Sequence, residues 1–105
     1  MRFVETPIFT KAITRLLDDD EYRGLQIALM LRPQQGPVIR GAGGLRKVRW
    51  ARLGAGKRGG LRVIDHWAPA ESVFYMLYVY SKNEQGDLMP GQARTLGQFV
   101  REEFK

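Results

Sequence analysis

The chain has 105 residues, no cysteine, a single histidine and a formal net charge of +6. This length supplies one core without staples, so a single domain over residues 1–105 is expected. The missing cysteines exclude disulfides, thiol catalysis and Cys-ligated zinc, and one histidine excludes a multi-histidine metal site or a nuclease built on two histidines, so neither metal nor cofactor is expected.

In chain order, residues 2–5 read as a short first strand around Phe3 and Val4. Thr6-Pro7 then opens a helix, Thr6 as N-cap and Pro7 at the first helical position. Ile8, Phe9, Ile13, Leu16 and Leu17 recur at helical spacing. The acidic group Asp18-Asp19-Asp20-Glu21 interrupts this pattern, and Asp18 with Glu21 three residues on has the form of a capping box. These acids are therefore read as caps and not as acid–base machinery. A second helix runs to about Leu31 on Tyr22, Leu25, Leu29 and Met30, and Pro33 lies beyond its end. Residues 33–44 are loop-like.

After Leu45 the period changes to two. Val48 and Trp50 face one way, Lys47 and Arg49 the other. Residues 54–60 are a glycine-rich hairpin connection. Leu61 to Trp67 form the next strand, with Arg62, Ile64 and His66 on one face and Asp65 among Val63 and Trp67 on the other. The run from Val73 to Tyr80 is apolar on both faces and reads as a central strand. A turn at residues 86–90 leads to a last helix anchored on Leu96, Phe99, Val100 and Phe104. The order β-α-α-β-β-β-α predicts an α+β fold: a small antiparallel sheet, an N-terminal helix hairpin and a C-terminal helix, with the helices on one face and the other face open.

The pI near 10.1 points to an anionic partner. Between Tyr22 and Ile64 there is no acid, while Arg23, Arg32, Arg40, Arg46, Lys47, Arg49, Arg52, Lys57, Arg58 and Arg62 all fall in that stretch. Each base alone is most simply a solvated surface residue. Together, Lys47 and Arg49 on one strand and Arg62 on its neighbour bring like charges close, and an anion between them relieves the repulsion. Lys57 and Arg58 in the glycine-rich loop add two cations and backbone N–H groups, without a Walker A pattern. If the anion is RNA, its own 2′-OH is the nucleophile. Lys47 or Lys82 is then the candidate base, and Arg62 the stabiliser of the transition state. His66, four residues beyond Arg62 on the same face, is a lesser candidate, about 13 Å away by strand rise. Of the tyrosines, Tyr75 and Tyr78 read as core, and Tyr80 at the strand end is the better stacking platform for a base.

The stretches Gly43-Gly44-Leu45-Arg46-Lys47-Val48-Arg49, Gly56-Lys57-Arg58-Gly59-Gly60-Leu61-Arg62-Val63-Ile64 and Tyr80-Ser81-Lys82-Asn83-Glu84 resemble the RelE/ParE superfamily of toxins from type II toxin–antitoxin systems, in its HigB-type branch. The resemblance implies a RelE-like fold and a metal-independent endoribonuclease, an mRNA interferase that cuts mRNA in the ribosomal A site and stops translation. It also implies a cognate DNA-binding antitoxin as partner, besides the ribosome and mRNA, and a cytoplasmic protein with no membrane partner. No apolar run here approaches the about 18 residues of a membrane span, and the first residues lack the apolar core of a secretory signal. Carried over by position, Lys47, Arg49, Arg62 and Lys82 are the catalytic set and Asn83 belongs to the same basic motif as Lys82; Arg46, Lys57, Arg58 and Tyr80 join Asn83 as candidate RNA or phosphate contacts beside that match. Three positions depart from the family pattern. Asp65-His66 stand where the family usually has a tyrosine and an aromatic residue, which implies an attenuated or altered toxin. The turn at 86–90 holds no tyrosine, leaving the general acid unassigned, and Met89 stands where a polar helix N-cap is expected. A ParE-like inhibitor of DNA gyrase and a non-catalytic nucleic-acid-binding or regulatory module are the alternatives.

Overall fold

The computed structural model describes residues 1–51 and 60–103. The elements are β1 (Arg2–Glu5), α1 (Pro7–Leu16), α2 (Asp19–Leu31), β2 (Arg46–Trp50), β3 (Leu61–Ala68), β4 (Val73–Ser81) and α3 (Pro90–Glu103). The glycine-rich connection, with Lys57 and Arg58, lies outside the described residues, as does the predicted anchor Phe104.

Both N-terminal helices begin where local chemistry places them. The Thr6 hydroxyl accepts from the Phe9 N–H at 3.1 Å and donates to Leu77 O at 2.9 Å, so one side chain caps α1 and ties it to β4. Asp18 accepts from the Glu21 N–H at 2.7 Å and Glu21 accepts from the Asp18 N–H, closing the capping box of α2. The predicted polar cap of α3 is replaced from inside the helix: Gln92 Oε1 accepts the Met89 N–H at 3.0 Å.

The four strands run in the order β1-β4-β3-β2. β2, β3 and β4 form the antiparallel meander expected from the short connections, but β1 adds to β4 in parallel. The sheet is therefore mixed, a correction to the all-antiparallel expectation. The chain leaves β1 through α1 and crosses three further elements before β4, which fixes neither the partner nor the direction of β1 locally. Between Ile64 and Asp65 the β3–β4 register skips from Tyr78 to Met76, leaving Leu77 as the extra residue of a bulge.

Strand alternation sorts the sheet's side chains into two cores. Val48, Leu61, Val63, Phe74, Met76 and Val79 pack against Phe9 and Ile13 of α1 and Leu25 and Leu29 of α2. Met30, expected on that face, is instead exposed. On the opposite face Ile64, Leu77 and Tyr80 pack against Val100 and Leu96 of α3 and against Ala42 and Leu45 of the loop before β2. Helices thus cover both faces, and the second face is not left open as expected. The close approach of α3 to this loop needs Gly97, where a Cβ would lie 3.1 Å from the Ala42 backbone. Phe99 of α3 remains exposed. Of the basic side chains on this face of β2 and β3, Arg49 is exposed while Lys47 and Arg62 are half-buried. No described helix is long and apolar enough to cross a membrane.

Candidate nucleic-acid interface

The register of β2 on β3 decides the first question about the basic residues. Arg49 stands directly opposite Arg62, and Arg62 is in turn opposite Tyr80 on β4. Lys47 lies two residues from Arg49, opposite Ile64 and on the same face. Side chains directly opposite on an antiparallel pair have Cβ atoms about 5 Å apart, so Lys47, Arg49, Arg62 and Tyr80 form one patch across three strands. Arg49 is exposed and Arg62 half-buried, its Nη1 donating to Leu61 O at 3.3 Å.

Arg46 is not part of this patch. It is in phase with Val48 and Trp50, stands opposite Asp65, and donates from Nη1 to Gly36 O at 2.9 Å. The expectation that it joins the RNA-contacting set with Lys47 does not match this placement, because alternation sends a residue adjacent to Lys47 to the other face. Asp65, as expected from its phase, lies on that face and is 1% exposed. Neither of its carboxylate oxygens has a hydrogen-bond partner among the described residues. Burial pushes its pKa up to about 7, against the opposing pull of Arg46.

His66 pairs with Tyr75, with ring centroids 6.4 Å apart, and its ring lies 3.8 Å from where a Cβ on Gly44 would stand. It belongs to the far end of the strand and does not converge with Arg62. Lys82 and Asn83 lie just past β4 and are exposed. The Lys82 N–H donates to Gly60 O at 3.0 Å, which holds this corner to the start of β3, beside Arg62, and the Asn83 N–H donates to Ser81 Oγ.

Tyr80 is only 2% exposed, packed among Ile64, Leu88 and Val100. Stacking needs an open ring face, so the expectation of Tyr80 as a platform for a base fails, because the turn into α3 covers it. Its hydroxyl is buried on the side of the Asp87 carboxylate, whose charged form it favours. Burial first, and the Asp87 carboxylate second, push the Tyr80 pKa up, while Arg62 opposes them, so the phenol is a protonated donor at neutral pH.

The group that inspection of the sequence missed is Asp87. From the β4–α3 turn its Oδ1 accepts from Lys47 Nζ at 3.0 Å and from the Leu88 N–H at 2.8 Å. The hydrogen bond from Lys47, then that from Leu88, holds the Asp87 carboxyl below the usual carboxylate range. Forty positions separate the two partners, and no periodicity connects them. Beside the pair is a cleft of ≈ 290 Å³ between Val38 and Ile39 on one wall and Leu88 and Ala93 on the other. Among the described residues no three His, Cys, Asp or Glu side chains gather as a metal site.

No protein-family model matches the sequence. Among solved structures, the fold is similar to that of the toxin RelE of E. coli, determined as an arginine double mutant in the free state. The TM-score is 0.56 at 12% sequence identity, over 80% of this chain and 85% of that chain. The fold is RelE-like. Within that RelE-like frame, Lys47, Arg49 and Arg62 share one face of β2 and β3, and among the described residues Asp87 pairs with Lys47.

Proposed function

We propose that the protein is the toxin of a type II toxin–antitoxin pair and that it cuts mRNA in the ribosomal A site, as the HigB-type resemblance of its sequence implies. The observation that carries this reading is the direct pairing of Arg49 with Arg62, with Lys47 next to them on the same face. Like charges held side by side on a rigid sheet are a standing cost that a bound phosphate offsets. The likeness to RelE supports the reading at the level of the fold.

In the proposed reaction the RNA 2′-OH loses its proton to a base and its oxygen attacks the adjacent phosphorus. The 5′-oxygen of the next nucleotide leaves and takes up a proton, giving a 2′,3′-cyclic phosphate. Arg62 and Arg49 hold the non-bridging oxygens as negative charge builds on them. Lys47 and Lys82 are the candidates for the base, one on the patch and one at its corner. Lys57 and Arg58 are proposed as further backbone contacts. A DNA-binding antitoxin is the proposed partner that covers the patch when the toxin is silent.

Cell-free translation followed by primer extension on the message tests this. Cuts phased to codons and dependent on ribosomes support the RNase reading. Loss of supercoiling by gyrase with intact mRNA replaces it with the ParE-like alternative, and neither effect leaves a nucleic-acid binder.

A further inference from the structure

The Lys47–Asp87 pair has a meaning beyond a surface ion pair. Lys47 is the cation of the patch with its side chain largely covered, 24% exposed, while Asp87 is 71% exposed and sits on a turn. The carboxylate lies over the face that carries Arg62, and its charge reaches the buried Tyr80 hydroxyl. That hydroxyl is buried, and after the Lys47 ammonium and the Leu88 N–H it also helps to hold the Asp87 carboxyl charged. A lysine and a phenol at one carboxylate, with Arg62 opposite Tyr80 on the next strand, describe the surroundings a phosphate dianion or diester needs.

We propose that Asp87 marks a phosphate seat formed by Lys47, Arg62 and the Tyr80 hydroxyl, and that an RNA phosphate takes this seat by displacing the Asp87 carboxylate. The inference rests on the RNA reading above and makes it specific: the free protein carries its own competitor. Displacement also frees the Leu88 N–H from Asp87 Oδ1, so entry of the phosphate is felt at the start of α3. Tyr80 is a positioning donor in this seat, held by the core beneath it.

The test uses the full chain and a short RNA oligonucleotide carrying 2′-O-methyl groups, which binds but cannot be cut. Asp87→Asn keeps an oxygen to accept from the Leu88 N–H and removes the charge. It is expected to tighten RNA binding about threefold to fivefold at moderate salt, the range that one competing, partly exposed ion pair supplies. Asp19→Asn makes the same change of net charge on α2 and is expected to tighten binding less than twofold. In a Lys47→Gln background the gain from Asp87→Asn is expected to vanish, and Tyr80→Phe is expected to weaken binding with unchanged folding by circular dichroism. In the parent chain, titration with inorganic phosphate is expected to shift the Leu88 amide resonance. The proposal is overturned if Asp87→Asn binds RNA no more tightly than the Asp19→Asn control, or if its full gain survives the loss of Lys47. Ribosome-dependent cleavage is read separately in the translation assay, so failure of the seat and failure of the RNase reading give different results.

Discussion

Asp65 makes the stability of this fold run against pH in an unusual sense. Its carboxyl is 1% exposed, neither oxygen has a hydrogen-bond partner among the described residues, and its pKa rises from 3.8 to about 7. Below pH 3.8 the acid is protonated whether the chain is folded or unfolded, and its contribution to stability is fully present. As pH rises from about 4 to 7 the unfolded chain releases the proton while the folded chain keeps it, so stability falls. One pKa unit is worth about 1.4 kcal/mol, so the whole shift costs about 4 kcal/mol, of which about 3 kcal/mol falls between pH 5 and pH 8. Asp65→Asn keeps the shape and removes the titration. Urea unfolding of both proteins at pH 5 and pH 8 reads the difference. The variant is expected to gain about 3 kcal/mol relative to the parent between these two values. The charged groups identified at this carboxyl are Asp65 itself and Arg46, whose guanidinium opposes the shift from the neighbouring strand. Parallel pH profiles for the two proteins would refute the burial argument.

Two further perturbations bear on the frame of the site and on its charge. Gly36 has φ +86°, and a Cβ there would lie 2.6 Å from Lys47 O, so Gly36→Ala is expected to push on β2 and cost at least about 2 kcal/mol in urea unfolding. Gly41→Ala, at φ +74° with nothing within 4 Å, is the control and is expected to cost only the backbone strain of about 1 kcal/mol. Arg49→Ala is expected to weaken RNA binding across all sequences and to flatten the slope of log K against log salt by about 0.7, the value for one phosphate contact on a single strand.

The parts of this fold that sequence anticipates are those decided within a few residues. Thr6 and Pro7 start α1, and Asp18 and Glu21 start α2, because each cap is a bond over three positions. The phase of Lys47 and Arg49 against Val48 and Trp50 follows from alternation, and with Arg62 it places the basic patch. What escapes local reading depends on distant chain. β1 pairs with β4 in parallel across about 70 positions, and α3 closes over the second face through Gly97 and Ala42. That closure buries the Tyr80 ring and brings Asp87 to Lys47. Arg46 was misplaced for a different reason. Charge clustering counts it with Lys47, whereas its even-numbered phase, shared with Val48 and Trp50, already assigns it to the other face.

The central claim is that the paired arginines of β2 and β3 hold a scissile RNA phosphate. Primer extension on mRNA from a cell-free translation reaction, with parent protein and with Arg62→Ala at equal folded concentration, tests it most directly. Ribosome-dependent, codon-phased cuts are expected from the parent, with a rate at least about 100-fold lower for the variant, the loss that follows removal of one preorganised transition-state donor. Cuts by Arg62→Ala at the parent rate would contradict it.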